Sequence, residues 1–187
     1  MSKNVVTLYH GTARQPFEAF GARFIGRGWE GNSSLGAWLS TSLETAAFYM
    51  QEGCVMTVES APLRLACVRS FEDAVLGGPD LKHADAPVAH LRYAEARERL
   101  MAAGYDGVWC ELAEDDMQGA VCIFEPGRLR ITGSRTAADV EALLEEGWEP
   151  AGQEGLEIDW SVDLADVLAE IVREMPDTRL DESPVPA

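Results

Sequence analysis

Basic residues are scarce: 15 Lys and Arg stand against 32 Asp and Glu, a formal net charge of −17. Holding a nucleic-acid backbone takes a basic footprint, and this chain offers none, so direct nucleic-acid binding is not expected. No apolar run approaches the roughly 18 residues that a membrane-spanning helix needs, so no membrane partner is expected either. Met1-Ser2-Lys3-Asn4 leads straight into a strand-like run without a long apolar leader, and the expected location is cytoplasmic. The four cysteines, Cys54, Cys67, Cys110 and Cys122, contain no CxxC pair. They read as reduced core thiols, and no metal is expected. His83 and His90 are expected at the surface. No internal repeat is visible.

The hydrophobic share, 47%, is enough for a core, and the length of 187 residues suits one domain or one domain with an appendage. The acidity is uneven. Residues 134–187 hold 15 of the acids and 3 of the bases, a net of −12, which leaves −5 for residues 1–133. The chain is therefore divided into a domain over 1–133 and an acidic helical extension over 134–187 with a frayed C-terminus.

β-Branched and aromatic runs predict strands at Val5–Tyr9, Ala37–Thr41, Cys54–Ser60, Leu63–Arg69, Val108–Leu112, Ala120–Phe124 and Leu129–Thr132. Residues 13–37, rich in Gly, Arg and Phe, read as a loop with at most a short helix. Ser42 is placed to cap a helix from Leu43 to Gln51 that ends at Gly53. Helices are also predicted over 88–103, with Val88, Leu91, Leu100 and Met101 on the buried side, and over Ala137–Glu146. Gly147–Asp159 reads as loop. Val162–Met175 fits an amphipathic helix whose apolar stripe, Leu164, Val167, Leu168 and Ile171, is expected to pack on the domain. Short strands outnumbering helices give an α+β class, with two packed antiparallel sheets and helices beside them.

His10 closes a strand and is followed by Gly11 and Thr12. A strand end holds side chains rigidly beside an open loop, and a glycine there lets a ligand reach the backbone. Ala46 and Ala47 leave room for a flat ligand against their helix, and Tyr49 is placed to stack on an aromatic cation.

Five segments occur in order: Leu8-Tyr9-His10-Gly11-Thr12, Gly36-Ala37-Trp38-Leu39-Ser40, Ala46-Ala47-Phe48-Tyr49, Gly104-Tyr105-Asp106-Gly107-Val108 and Val121-Cys122-Ile123-Phe124-Glu125-Pro126. Over residues 5–132 this set resembles the ADP-ribosyltransferases of the diphtheria-toxin and poly-ADP-ribose-polymerase type, the His–Tyr–acid clan, in its short bacterial or phage form. The resemblance implies an ADP-ribosyltransferase-like fold and NAD⁺ as substrate, without a metal. It implies that His10 bonds the adenosine ribose, that the Gly11 backbone holds the carboxamide beside Thr12, and that Tyr49 stacks on the nicotinamide with Trp38 and Ser40 lining the pocket. Arg23 and Arg27 are placed to meet the pyrophosphate.

The clan's acid stands at the start of the strand that reads Ala120–Phe124, and here that position is Ala120. Asp116, with Asp115 beside it, is the favoured carboxylate and Gln118 a close second. The expected activity is mono-ADP-ribosyl transfer to a macromolecule, most simply a protein with a basic surface, with release of nicotinamide. Two alternatives stand beside it. One is an RNA 2′-phosphotransferase-like enzyme, which the charge opposes. The other is a non-catalytic acidic inhibitor on a degenerate transferase scaffold, which Ala120 and the acidic extension favour.

Overall fold

The computed structural model describes residues 5–27, 31–69, 86–110, 119–148 and 154–175. Along the chain the elements are β1 (Val6–Thr12), β2 (Ala37–Ser40), α1 (Leu43–Phe48), β3 (Cys54–Ser60), β4 (Leu63–Val68) and α2 (Ala86–Ala102). They continue with β5 (Gly107–Cys110), β6 (Ala120–Ile123), β7 (Arg130–Arg135), α3 (Ala137–Glu145), β8 (Leu156–Asp163) and α4 (Leu164–Glu174). Short 3-10 turns at Ala22–Phe24 and Gly31–Ser34 interrupt the connection between β1 and β2.

The class is α+β, but the expectation of two antiparallel sheets is corrected. The strands form one eight-stranded sheet in the order β7-β3-β1-β2-β6-β5-β4-β8. It is mixed, because β4 runs parallel to both β5 and β8. The join between β1 and β2 is thin: their register is the single pair Tyr9↔Ser40, whereas β1 and β3 pair from Val6↔Ser60 to Thr12↔Cys54. A three-stranded half and a five-stranded half thus meet at one point. One core cluster draws strand residues from both halves: Val6, Leu8, Met56 and Val58 from the first, Leu39, Leu65, Trp109 and Ile123 from the second. A Cβ on Gly155, just before β8, would lie 2.9 Å from the Val6 side chain of β1, and a flat sheet cannot bring these two together across four intervening strands spaced about 4.8 Å apart. The sheet folds over at the β1–β2 join, and its two halves share that core.

The remaining faces carry helices. On the five-stranded half, Tyr93, Ala96 and Leu100 of α2 and Leu164, Leu168 and Ile171 of α4 pack with Ala66, Val108 and Cys122. Against β1 and β3, Leu43 and Ala46 of α1 and Val140 of α3 close around Tyr9 and Val55, with Trp148 edge-on to Tyr9 at 5.5 Å. α3 starts on a full capping box between Thr136 and Asp139.

The segment after residue 133 differs from its reading. β7 crosses that position, and the loop expected over Gly147–Asp159 contains the start of β8, which pairs with β4. α4 then docks through the predicted stripe, with Leu164, Leu168 and Ile171 buried. At roughly 1.5–3 kcal/mol for each fully buried Leu or Ile, these three hold α4 far more firmly than its exposed ion pairs, worth about 0–1 kcal/mol each. Two further expectations fail. Leu91 faces solvent at 59% exposure, and His90 is half-buried, its Nδ1 within 2.8 Å of the Ser34 hydroxyl. His83 lies outside the described residues. The four cysteines are free and buried, and burial is the main cause that pushes each thiol up from its ordinary value.

Candidate functional site

The site begins where β1 and β2 part. Continuing their register past Tyr9↔Ser40 would set Gly11 opposite Trp38, but no ladder forms there. The His10 ring takes the vacated position: its Nδ1 donates to the Trp38 carbonyl oxygen at 2.8 Å. That bond fixes the tautomer, with the proton on Nδ1 and a lone pair on Nε2. Burial lowers the His10 pKa from 6.5, against the opposing pull of the Trp38 carbonyl, so the ring is neutral at neutral pH. Phe17 and Phe20 meet the ring edge-on at 5.9 and 5.2 Å. These two walls were missed at the sequence level. Their signal was the Phe-x-x-Phe spacing shortly after the His-Gly-Thr segment that ends β1.

α1 is set over the same place by two hydroxyls. The Ser40 hydroxyl accepts from the Ser42 backbone N–H at 2.9 Å, and Ser42 caps the helix by accepting from the Thr45 N–H at 3.2 Å. The helix then lies so close to β1 that a Cβ on Gly11 would collide with the Ala46 carbonyl oxygen. Gly11 is required by this approach. The helix ends at Phe48, short of the predicted Gln51, with Tyr49 as its C-cap. Tyr49 is 49% exposed, so it is not a core residue.

The other residues singled out in the sequence are distributed as follows. Ser40 is buried at the join, opposite both Tyr9 and Ala120. Trp38 is half-buried, its indole N–H donating to the Asn32 carbonyl at 3.4 Å. The Thr12 hydroxyl accepts from the Arg14 N–H at 3.2 Å. Arg23 and Arg27 are exposed; Arg23 lies over the Phe24 ring at 4.9 Å, and no described contact ties either to His10. Asp115, Asp116 and Gln118 lie outside the described residues.

The flanks of the 111–118 segment are described, and the later one, Gly119 and Ala120, lies beside the join. Cys110 closes β5 and pairs with Ala120, which pairs with Ser40. Gly119 has a φ of +73°, and its carbonyl accepts from the Thr41 N–H at 3.0 Å. A Cβ there would run into the Thr41 hydroxyl, so a side chain is excluded twice over. Thr41, buried and braced in this way, was not foreseen from the sequence.

A cavity of about 400 Å³ lies elsewhere, between Gln15, Glu52, Cys54 and Arg135. It shares no lining residue with the His10 site. Among the described residues, no group of His, Cys, Asp and Glu is arranged to hold a metal ion, and no helix is long and apolar enough to cross a membrane.

No family model, curated protein sequence or solved structure matches this chain.

Proposed function

We propose that the chain is a mono-ADP-ribosyltransferase, which cleaves NAD⁺ to nicotinamide and passes the ADP-ribose to a macromolecular target, most simply a protein. The observation that carries this reading is the neutral His10 ring, anchored through Nδ1 in the gap between β1 and β2, with α1 packed against the neighbouring Gly11. The fold supports it too: a sheet folded into two halves that part at one residue pair is what an ADP-ribosyltransferase-like fold would need for a crevice.

NAD⁺ fits the groups at hand. The lone pair on His10 Nε2 accepts from a ribose hydroxyl. The β1 backbone beyond Tyr9 has no ladder to β2, which leaves that edge open to a carboxamide. The Tyr49 ring, half exposed, offers a π-face to the nicotinamide cation. Trp38 and Ser40 flank the gap. Arg23 and Arg27 enter this reading only as solvent-facing cations on the same loop, available to a pyrophosphate.

Nicotinamide leaves as a neutral molecule from a cation, and the ribosyl centre develops oxocarbenium character, as in glycoside cleavage. A carboxylate beside it stabilises that charge. Asp116, or the amide of Gln118, is assigned this part because Gly119, which follows them, bonds Thr41, the residue after Ser40. The half-buried Phe17, Phe20 and Trp38 walls limit water, which would otherwise take the ADP-ribose. Release of nicotinamide from NAD⁺ by the purified chain tests the reading.

One observation favours a second reading, a non-catalytic acidic inhibitor: Ala120 stands at the head of β6, where the clan carries its acid. NAD⁺ left intact by the protein in the presence of host proteins would decide for it.

A further inference from the structure

The outer surface of α1 and α3 has two properties together. Phe48 and Tyr49 stand in solvent at 69% and 49% exposure, their rings edge-on at 5.3 Å. Glu44 and Glu52, in and after α1, and Glu141, Glu145 and Glu146, in and just after the α3 that packs on α1, are all exposed. No Lys or Arg occurs in residues 41–53 or 136–148. Among the described residues none of these five carboxylates is in an ion pair. Elsewhere acids do meet arginines: Glu59 with Arg130, Asp106 with Arg128, Asp159 with Arg64, Glu174 with Arg99.

The two helices are packed together through Leu43, Ala46 and Val140, so the surface is a fixed one. An exposed aromatic pair on a surface with unneutralised carboxylates is complementary to a cation carried on an aliphatic stem. Lys and Arg side chains have that form: the stem covers the ring and the head meets a carboxylate. A second copy of the chain, at −17, does not supply such a surface.

We infer that the outer face of α1 and α3, centred on Phe48, docks an arginine- or lysine-rich segment of a protein partner, and that this partner is the acceptor of the proposed transfer. The second half rests on the proposed function, since docking at Phe48 sets the partner next to the residue assigned to nicotinamide. The first half rests on the surface alone.

The test is fluorescence polarisation of a fluorescein-labelled peptide of alternating arginine and glycine, titrated with the full chain at about 0.15 M salt, where long-range attraction is largely screened. Phe48→Ala is expected to weaken binding about fivefold, a loss of the size of an exposed cation–π contact with its buried stem. The pair Glu141→Gln and Glu145→Gln is expected to weaken it about tenfold. The pair Asp166→Asn and Glu170→Gln on α4 removes the same charge elsewhere and is expected to change it less than about twofold. Equal losses from both pairs would overturn the inference, because the net charge alone would then be acting. Competition by a glutamate–glycine peptide, or by an uncharged one carrying phenylalanine, would overturn it as well. Binding needs no turnover, so the two readings fail separately. Docking without nicotinamide release removes the acceptor role and keeps the surface. Release without docking removes the surface and keeps the enzyme.

Discussion

His10 Nδ1 donates to the Trp38 carbonyl oxygen at 2.8 Å, across the gap where β1 and β2 stop pairing. A side chain takes over a main-chain acceptor that the ladder has abandoned, and in doing so its second nitrogen is presented in a fixed state. His10→Ala removes both effects. It is expected to lower NAD⁺ affinity at least tenfold and to cost about 1–3 kcal/mol of stability, because the half-buried Trp38 carbonyl loses its donor. His10→Asn, which can still donate to Trp38, is expected to recover most of the stability and little of the affinity. Thermal unfolding and NAD⁺ titration, run side by side, check this.

The same residue sets a pH dependence. Its folded pKa is lowered, so below the ordinary 6.5 the unfolded chain takes up a proton that the folded chain refuses. Its contribution to stability is full above pH 6.5 and falls as the pH drops from there towards the folded value. NAD⁺ affinity is expected to fall in the same direction, as Nε2 loses its lone pair. Comparing wild type with His10→Asn between pH 7.5 and 5 (about the range in which histidine titrates) isolates the effect. Identical profiles would speak against it.

Gly11→Ala places a methyl group against the Ala46 carbonyl, backbone against backbone. Neither β1 nor α1 has slack there, since Ser40 and Ser42 pin the helix start. A loss of about 2–3 kcal/mol is expected from overpacking, together with weaker NAD⁺ binding as α1 and Tyr49 are displaced. Denaturant unfolding measures the first and titration the second.

Asp159 links β8 to the body of the sheet. It accepts from the Tyr105 hydroxyl at 2.8 Å and meets Arg64 at 3.4 Å, while Arg64 lies over the Tyr105 ring at 4.5 Å. Bonds from Ser161 and then Tyr105 hold the Asp159 carboxyl at about 2, below its ordinary 3.8. The stabilisation is present above the ordinary value and is lost as pH falls from about 3.8 to about 2. Asp159→Asn removes this stabilisation, so it is expected to lower stability at pH 7 and to flatten acid unfolding in that window. Hydrogen exchange in β8 and α4 follows it.

Tyr49→Phe keeps the ring and is expected to retain NAD⁺ binding within about twofold, whereas Tyr49→Ala is expected to weaken it about tenfold, since the proposed contact is made by the ring face. Equal effects would assign the role to the hydroxyl.

Much of the scaffold was legible in the sequence because its signals are local. β1, β3, β4 and β6 are compact runs of mainly apolar residues, Ser42 announces its helix, and the stripe on α4 has the period of a helix. The sheet's parallel part was not, because it depends on β8. Leu156, Ile158, Trp160 and Val162 do alternate with polar residues, but the acids and the flanking glycines masked that period. A register shift between Ala66 and Cys67 also leaves Trp160 at 47% exposure. Leu91 and His90 exchanged their expected environments for a reason no helical period contains: the 31–34 turn packs on α2 through Gly31 and Ser34. His10 and Gly11 were singled out from order and spacing, but the thin β1–β2 join beside them is a property of the folded sheet.

The central claim is that the His10 gap serves NAD⁺ cleavage and transfer. The most direct measurement is incubation of the purified chain with NAD⁺ labelled on its adenosine half, in lysate from a bacterial host, beside His10→Ala, Tyr49→Ala, Asp116→Ala and Gln118→Ala. The account predicts released nicotinamide and a labelled macromolecule with wild type, loss of both in His10→Ala, and loss in Asp116→Ala or Gln118→Ala, whichever holds the third group. Intact NAD⁺ and no label with wild type, or full labelling by His10→Ala, would contradict it.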